Sequence, residues 1–126
     1  MTRCPRSFPL AAAALLTAGV LITSTGCATT ASAPLTEGGR ATLQGTIASV
    51  DTKPWTYDGN AVVQLDTATH GRVSVQLPAR WNLCKAPAVA VDTLVVGRRA
   101  RASGTANSEG ALVVCSSAED RLVAID

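Results

Sequence analysis

An alternating segment that ends abruptly constrains the fold of this chain more than any other feature. Residues 73–77 alternate Val, Val and Leu with Ser and Gln, and Pro78 follows directly. A period of two predicts a strand with one buried face, and proline cannot donate a hydrogen bond to a continuing sheet. We therefore expect this strand to end at Leu77, before a connector that carries Trp81 and Cys84.

Other short segments repeat the pattern, and turn residues separate them. Gly71 lies in the reversal 69–72, where it can supply the positive φ that such turns use, and residues 107–110 (Asn-Ser-Glu-Gly) form a hairpin turn. The predicted strands cover residues 41–51, 61–67, 73–77, 98–106 and 112–115, and residues 122–125 either continue the fifth strand or form a sixth.

Small residues occur inside two of these strands. Gly45 predicts a bend or bulge, which a first strand shared between two sides of a small barrel requires. The fourth strand alternates exposed-type residues with a small-residue inner face formed by Ala100, Ala102 and Gly104.

The order of elements is that of the OB-fold, a small Greek-key barrel. We predict an all-β, OB-like Greek-key barrel of five or six strands with a short helix or turn between strands three and four. An immunoglobulin-like sandwich would need about seven strands. Over residues 39–126 the chain resembles bacterial periplasmic OB-fold proteins, in segments 43–50, 73–77 and 97–104 and in Trp81 after the third strand. Cys84 and Cys115 lie outside that pattern.

The first third of the chain is expected to lie outside the barrel. Arg3 and Arg6 precede an apolar run at residues 10–22, the order found in secretory signals. A membrane-spanning helix needs about 20 apolar residues, and this run is shorter. We therefore expect residues 1–26 to be a removed signal peptide.

Residues 24–27 (Ser-Thr-Gly-Cys) resemble the lipobox of bacterial lipoproteins, although the family prefers an aliphatic residue at the position of Ser24. The resemblance implies that Cys27 becomes a lipidated N-terminus, with residues 27–39 as a flexible tether and 40–126 as the barrel domain. The protein would then be exported and anchored at an envelope membrane, facing the periplasm. The alternative is cleavage after a small residue such as Ala28, which gives a soluble periplasmic or secreted protein.

The net positive charge of the chain is lost when the predicted signal peptide is removed. The 11 Lys and Arg outnumber the 9 Asp and Glu, but Arg3 and Arg6 leave with the signal. The mature chain is then formally neutral and lacks the net positive charge that phosphate backbones attract, so nucleic acid is not an expected partner.

Two cysteines remain for the folded part. In an exported domain Cys84 and Cys115 most simply form a disulfide, and the loop of about 31 residues predicts a stabilisation of about 3 to 4 kcal/mol. Two separate buried thiols are the alternative. A metal site would need more ligands than these cysteines and His70, so we expect no metal and no cofactor.

Aromatic residues suggest one binding surface. Trp55 and Tyr57 lie in the loop between strands one and two, which is part of the usual binding surface of an OB barrel. They could stack on a sugar or base or insert into a partner protein. Alternatively, they fold back over an open end of the barrel. We interpret Trp81, beside Cys84, as core.

Arginines form the one basic cluster, at residues 98–101. Arg99 and Arg101 share a strand face and are candidates for an anion site, although pairing with acids across the sheet is the expected arrangement for such a face. His70 is interpreted as an exposed turn residue.

No motif for a catalytic nucleophile or a phosphate-binding loop occurs in the sequence, so we expect a protein that is not an enzyme. Two hypotheses follow. The first is an envelope lipoprotein acting as a binding module for a glycan, peptide or protein. The second is a structural or assembly component of an envelope complex that binds no small ligand.

The expected lipidation can be tested directly. Mass spectrometry of the mature protein from a bacterial host should detect a diacylglycerol adduct on Cys27, because the lipobox cysteine is the acylated residue. A Cys27→Ala chain serves as the control and should lack the adduct. An unmodified N-terminus in the parent would refute the lipoprotein prediction.

Overall fold

Six strands form one sheet in this computed structural model, which describes residues 33–79 and 83–125. The strands are β1 (Arg40–Asp51), β2 (Ala61–Thr67), β3 (Gly71–Leu77), β4 (Arg99–Ala106), β5 (Leu112–Val113) and β6 (Arg121–Ile125). Short 3₁₀ helices lie at Lys53–Tyr57, between β1 and β2, and at Val91–Thr93, between β3 and β4.

β1 closes this sheet into a barrel because it pairs with two strands. It runs antiparallel to both β2 and β4, while β3 and β5 pair in parallel. The ring of β1, β2, β3, β5 and β4 therefore returns to β1, and β6 pairs with the same edge of β4 as β5. The predicted OB-like Greek-key barrel, with a short helix between strands three and four, is confirmed.

The core consists of the inward faces that the period of two predicts. Val63, Leu65 and Val75 are completely buried, and Ala100 and Ala102 form the small inner face expected for β4. The buried cluster comprises Leu43, Ile47, Ala61, Val63, Leu65, Val73, Val75, Leu77, Leu94, Ala100, Ala102, Leu112, Val114 and Leu122.

Gly45 marks the place where β1 is paired on both sides. It lies opposite Thr67 of β2 and Ala100 of β4. A Cβ atom at Gly45 would lie 2.5 Å from the carbonyl oxygen of Asp66, so a larger residue would push the strands apart. The register irregularity itself lies further along, between residues 47 and 49.

β5 is shorter than predicted, and the carbonyl of Cys115, two residues after it, bonds outside the sheet. The carbonyl of Cys115 accepts hydrogen bonds from the backbone N–H groups of Lys85 and Ala86, at 2.8 and 3.0 Å. The connector between β3 and β4 is thereby fixed to the end of β5, and residues 121–125 form a separate sixth strand.

Residues 33–39, which the sequence predicts to be tether, lie against the barrel. The N–H of Ala33 donates to the carbonyl of Thr69 at 3.2 Å, and that of Gly38 donates to the carbonyl of Ala106 at 2.8 Å. Leu35 packs against the core. The described part of the predicted tether is therefore bound to the turn between β2 and β3 and to the end of β4.

Asp120 is the one buried charged side chain among the described residues. Its Oδ1 lies 2.9 Å from Nη2 of Arg40, in an ionic contact without hydrogen-bond alignment. Its Oδ2 accepts a hydrogen bond from the N–H of Ser117 at 3.1 Å. Because a buried carboxylate requires compensating partners, the loop before β6 is fixed to the first residue of β1.

The close packing of β4 against β5 predicts that Gly104→Ala destabilises the barrel. The added Cβ would lie 2.4 Å from the carbonyl oxygen of Val113, and relieving such overpacking costs about 1–3 kcal/mol. Chemical denaturation measures the loss. Ser103→Ala, at the adjacent position of β4, is the matched control and should change stability by less than about 0.5 kcal/mol. Equal midpoints for the two variants would contradict this account.

Candidate functional site

Trp55 is positioned by the 3₁₀ helix Lys53–Tyr57. Pro54 is the second residue of the helix and lies in its first turn, where its fixed φ is favourable. The helix ends at Tyr57. Asp58 follows as its C-terminal cap in a left-handed conformation, and the N–H of Gly59 donates to the carbonyl of Pro54 at 2.8 Å. This short turn holds the Trp55 side chain over the end of the barrel.

The Trp55 side chain is part of the packed structure of the barrel. It is half-buried and packs against the core. Its Nε1 donates a hydrogen bond to the carbonyl of Leu77, at the end of β3, at 2.8 Å. The alternative in which the loop folds back over an open barrel end therefore describes Trp55.

Tyr57 has a different environment from Trp55, although only one residue separates them. Its side chain is 85% exposed. The two candidate binding residues thus divide into a half-buried aromatic that contacts the core and an exposed aromatic that is free to contact a ligand.

An apolar groove lies beside Trp55, and we call it the Trp55 groove. It has a volume of about 260 Å³. The predicted disulfide between Cys84 and Cys115 is confirmed. It fixes the connector after β3, which forms one wall of the groove, to the segment after β5. The lining residues are Trp55, Leu77, Pro78, Cys84, Ala86, Pro87, Ala88, Val89 and Val114.

Leu83 precedes the disulfide and is exposed in an unusual conformation. Its side chain is 92% exposed, and its backbone φ is +55°. A non-glycine residue in this left-handed region costs about 1–2 kcal/mol. Because no burial of the side chain compensates this cost, Leu83 is a candidate for contact with a partner.

Arg99 and Arg101 are exposed on the outer face of β4. Their neighbours across the sheet are not acids. Arg101 lies opposite Gln44 of β1 and Val123 of β6. With its carboxamide oxygen oriented toward Arg101, Gln44 accepts hydrogen bonds from Nη2 at 2.7 Å and from Nε at 3.0 Å. The expected pairing with acids across the sheet is therefore not found on this face.

His70 lies in the turn between β2 and β3, as predicted, but it is half-buried. Its Nδ1 is 2.6 Å from the carbonyl oxygen of Ala33, so it helps to hold the described start of the chain. Within residues 33–79 and 83–125, no three His, Cys, Asp or Glu side chains come together as a metal site.

Two residues singled out in the sequence, Cys27 and Trp81, lie outside the described residues. Comparison with known proteins yields no matching family model and no matching curated protein. None of the helices in the described parts of the chain has the length and apolar character needed to cross a membrane. The site is therefore interpreted from its own chemistry.

The different environments of the two aromatics predict different effects of substitution. Trp55→Ala should destabilise the barrel by about 3 kcal/mol, whereas Trp55→Phe, which keeps a ring but loses the bond to Leu77, should cost about 1 kcal/mol. Tyr57→Ala should stay within about 0.5 kcal/mol of the parent. Thermal and chemical unfolding measure all three. A loss at Tyr57 as large as that at Trp55 would show that both aromatics support the core.

Proposed function

We propose that this protein is a lipid-anchored component of the cell envelope that binds an apolar segment of another envelope protein. The Trp55 groove is the proposed binding site, with Tyr57 and Leu83 at its margins. The observation that carries the proposal is the presence of two exposed apolar side chains close in sequence to residues of an apolar groove: Tyr57 is two residues from Trp55, and Leu83 is next to Cys84.

Each of these side chains lies close in sequence to a lining residue of the groove. Tyr57 belongs to the same 3₁₀ helix as Trp55, and Leu83 adjoins Cys84. Trp55 and Cys84 both line the groove. Exposed apolar side chains beside a concave apolar surface are typical of binding sites for proteins, where aromatic residues contribute much of the affinity.

The chemistry of the lining favours a peptide or protein over a glycan. All nine lining residues are apolar or belong to the disulfide. Sugar hydroxyls require side chains that donate and accept hydrogen bonds, and the indole N–H of Trp55 is already bonded to Leu77. An apolar side chain of a partner can instead pack against the apolar side chains of the groove.

The rigidity of the groove also favours binding. The disulfide and the two hydrogen bonds to the carbonyl of Cys115 fix the connector wall. A wall that is fixed before binding loses little conformational entropy when a ligand enters. The Trp55 wall is fixed by the bond to Leu77.

The proposal predicts that Tyr57→Ser and Leu83→Asn reduce binding without reducing stability. Asparagine tolerates the left-handed conformation, and both side chains are exposed. In the test, the full chain is used to capture partners from an envelope extract. Surface plasmon resonance then measures the affinity of each captured protein for the parent and the variants. Each substitution should weaken binding about thirtyfold if the side chain is a hot spot.

Val96→Ser is the matched control, because Val96 is an exposed apolar residue that does not line the groove. This variant should bind as the parent does. Unchanged affinity for Tyr57→Ser and Leu83→Asn would refute the proposed site. Binding of purified glycan strands to the groove, with no protein partner, would refute the proposed ligand class.

A further inference from the structure

Positive charge is concentrated on one outer surface of the barrel. Arg99 and Arg101 are exposed on β4, Arg121 is exposed at the start of β6, and Arg98 is exposed directly before β4. β6 pairs with β4 along this surface, and Arg121 lies opposite Ser103. We call these four residues the arginine face.

The arginine face has no acidic partners among the described residues. The salt bridges found among the described residues lie elsewhere on the barrel: they join Arg72 to Asp66, at 2.7 Å, and Arg40 to Asp120, at 2.9 Å. The Arg72 pair is tight enough to lower the pKa of the Asp66 carboxyl, chiefly through its hydrogen bond. Within residues 33–79 and 83–125 no comparable pair forms on the arginine face, and its charge can therefore attract an external anion.

The carboxylate of Glu119 interacts electrostatically with Arg121 of this face, but its hydrogen bond is with Ser117. A hydrogen bond from the Ser117 hydroxyl is the main cause of its lowered pKa, with smaller contributions from its own backbone N–H and from the charges of Arg40 and Arg121. Its carboxylate forms no salt bridge with Arg121 in the described structure. The charge of Arg121 is therefore only partly offset.

Exposed valines accompany the arginines. Val95 and Val96 are 50% and 61% exposed in the turn that leads into β4, and Val123 on β6 is 41% exposed. The turn is held in place because the N–H of Gly97 donates to the carbonyl of Ile47 at 2.8 Å. Arginines next to exposed apolar side chains are typical of surfaces that rest at the boundary between lipid headgroups and acyl chains.

The predicted lipid attachment point, Cys27, can be related to the arginine face through the position of Ala33. Ala33 is the sixth residue after Cys27, so a lipid on Cys27 would hold Ala33 within about 22 Å of the membrane. Ala33 is bonded to the turn after β2. In the sheet, Thr67 pairs with Gly45, and Gly45 pairs with Ala100 between the arginines of β4. Two strand spacings, about 10 Å, therefore separate the end of β2 from β4.

We propose that the arginine face, with Val95 and Val96, docks on an anionic phospholipid membrane. The guanidinium groups would contact headgroup phosphates, and the two valines would enter the interface. The choice of a membrane over a soluble polyanion rests on the lipid anchor of the proposed function. The affinity for anionic vesicles can be measured whether or not that anchor exists.

The test uses the full chain with Cys27→Ala, which carries no acyl group. Sedimentation with vesicles of phosphatidylcholine alone, or with 30% phosphatidylglycerol, measures binding. We expect tighter binding to the anionic vesicles and a decrease in that binding as salt is added. Residues 10–22 are common to all variants, so they cannot by themselves cause a difference in binding between two variants.

Two double variants with the same change in net charge provide the comparison. Arg99→Gln with Arg101→Gln should weaken binding to the anionic vesicles about twenty-fivefold, at about fivefold for each arginine. Lys53→Gln with Lys85→Gln removes two exposed cations outside the face and should have a much smaller effect. Val95→Ser with Val96→Ser should also weaken binding.

Three results would overturn the proposal. Equal losses in the two charge variants would indicate a response to net charge alone. Equal binding to neutral and anionic vesicles would exclude recognition of anionic headgroups. Release by inorganic phosphate beyond that caused by sodium chloride of equal ionic strength would identify a soluble phosphate as the ligand. Because these chains lack Cys27, none of these results depends on lipidation, and none of the substituted residues lines the Trp55 groove.

Discussion

The close approach of β1 to β2 and β4 at the same position is the constraint on which the rest of the structure depends. At Gly45 the backbone of β1 pairs on both sides, and the carbonyl of Asp66 occupies the space of a missing Cβ. With a larger residue there, β1 could not hold both neighbours at the usual spacing. The closed ring in turn places the 3₁₀ helix of Trp55 over one end and the arginines of β4 on the outside.

Much of this barrel could be predicted from the sequence because its strands are half-buried. Each strand shows the period of two that one buried face produces, so strand positions and inward residues follow from the pattern. The role of Gly45 in that closure was harder to predict. Gly45 was expected to allow a bend or bulge, and its importance lies instead in the backbone that approaches it. The register irregularity lies elsewhere, between residues 47 and 49.

The candidate surfaces were less predictable because they depend on contacts between distant segments. The sequence pairs Trp55 with Tyr57, but only the fold brings the carbonyl of Leu77 to Trp55 and leaves Tyr57 exposed. An exposed leucine has no signature in a single sequence, so Leu83 was missed. Asp120 was also missed, because an acid beside Glu119 resembles a surface loop and its partner Arg40 lies at the other end of the domain.

The ladder between β1 and β4 also determines the order in which the barrel can fold. β1 to β3 are joined by short connections and can pair as soon as they are made. The partners of the other edge of β1, Arg99 to Thr105, follow much later in the chain, and Asp120 follows later still. Contacts between distant residues form slowly because a long loop must close first. During synthesis, the apolar face of β1 to β3 therefore stays exposed to solvent until β4 to β6 have been made.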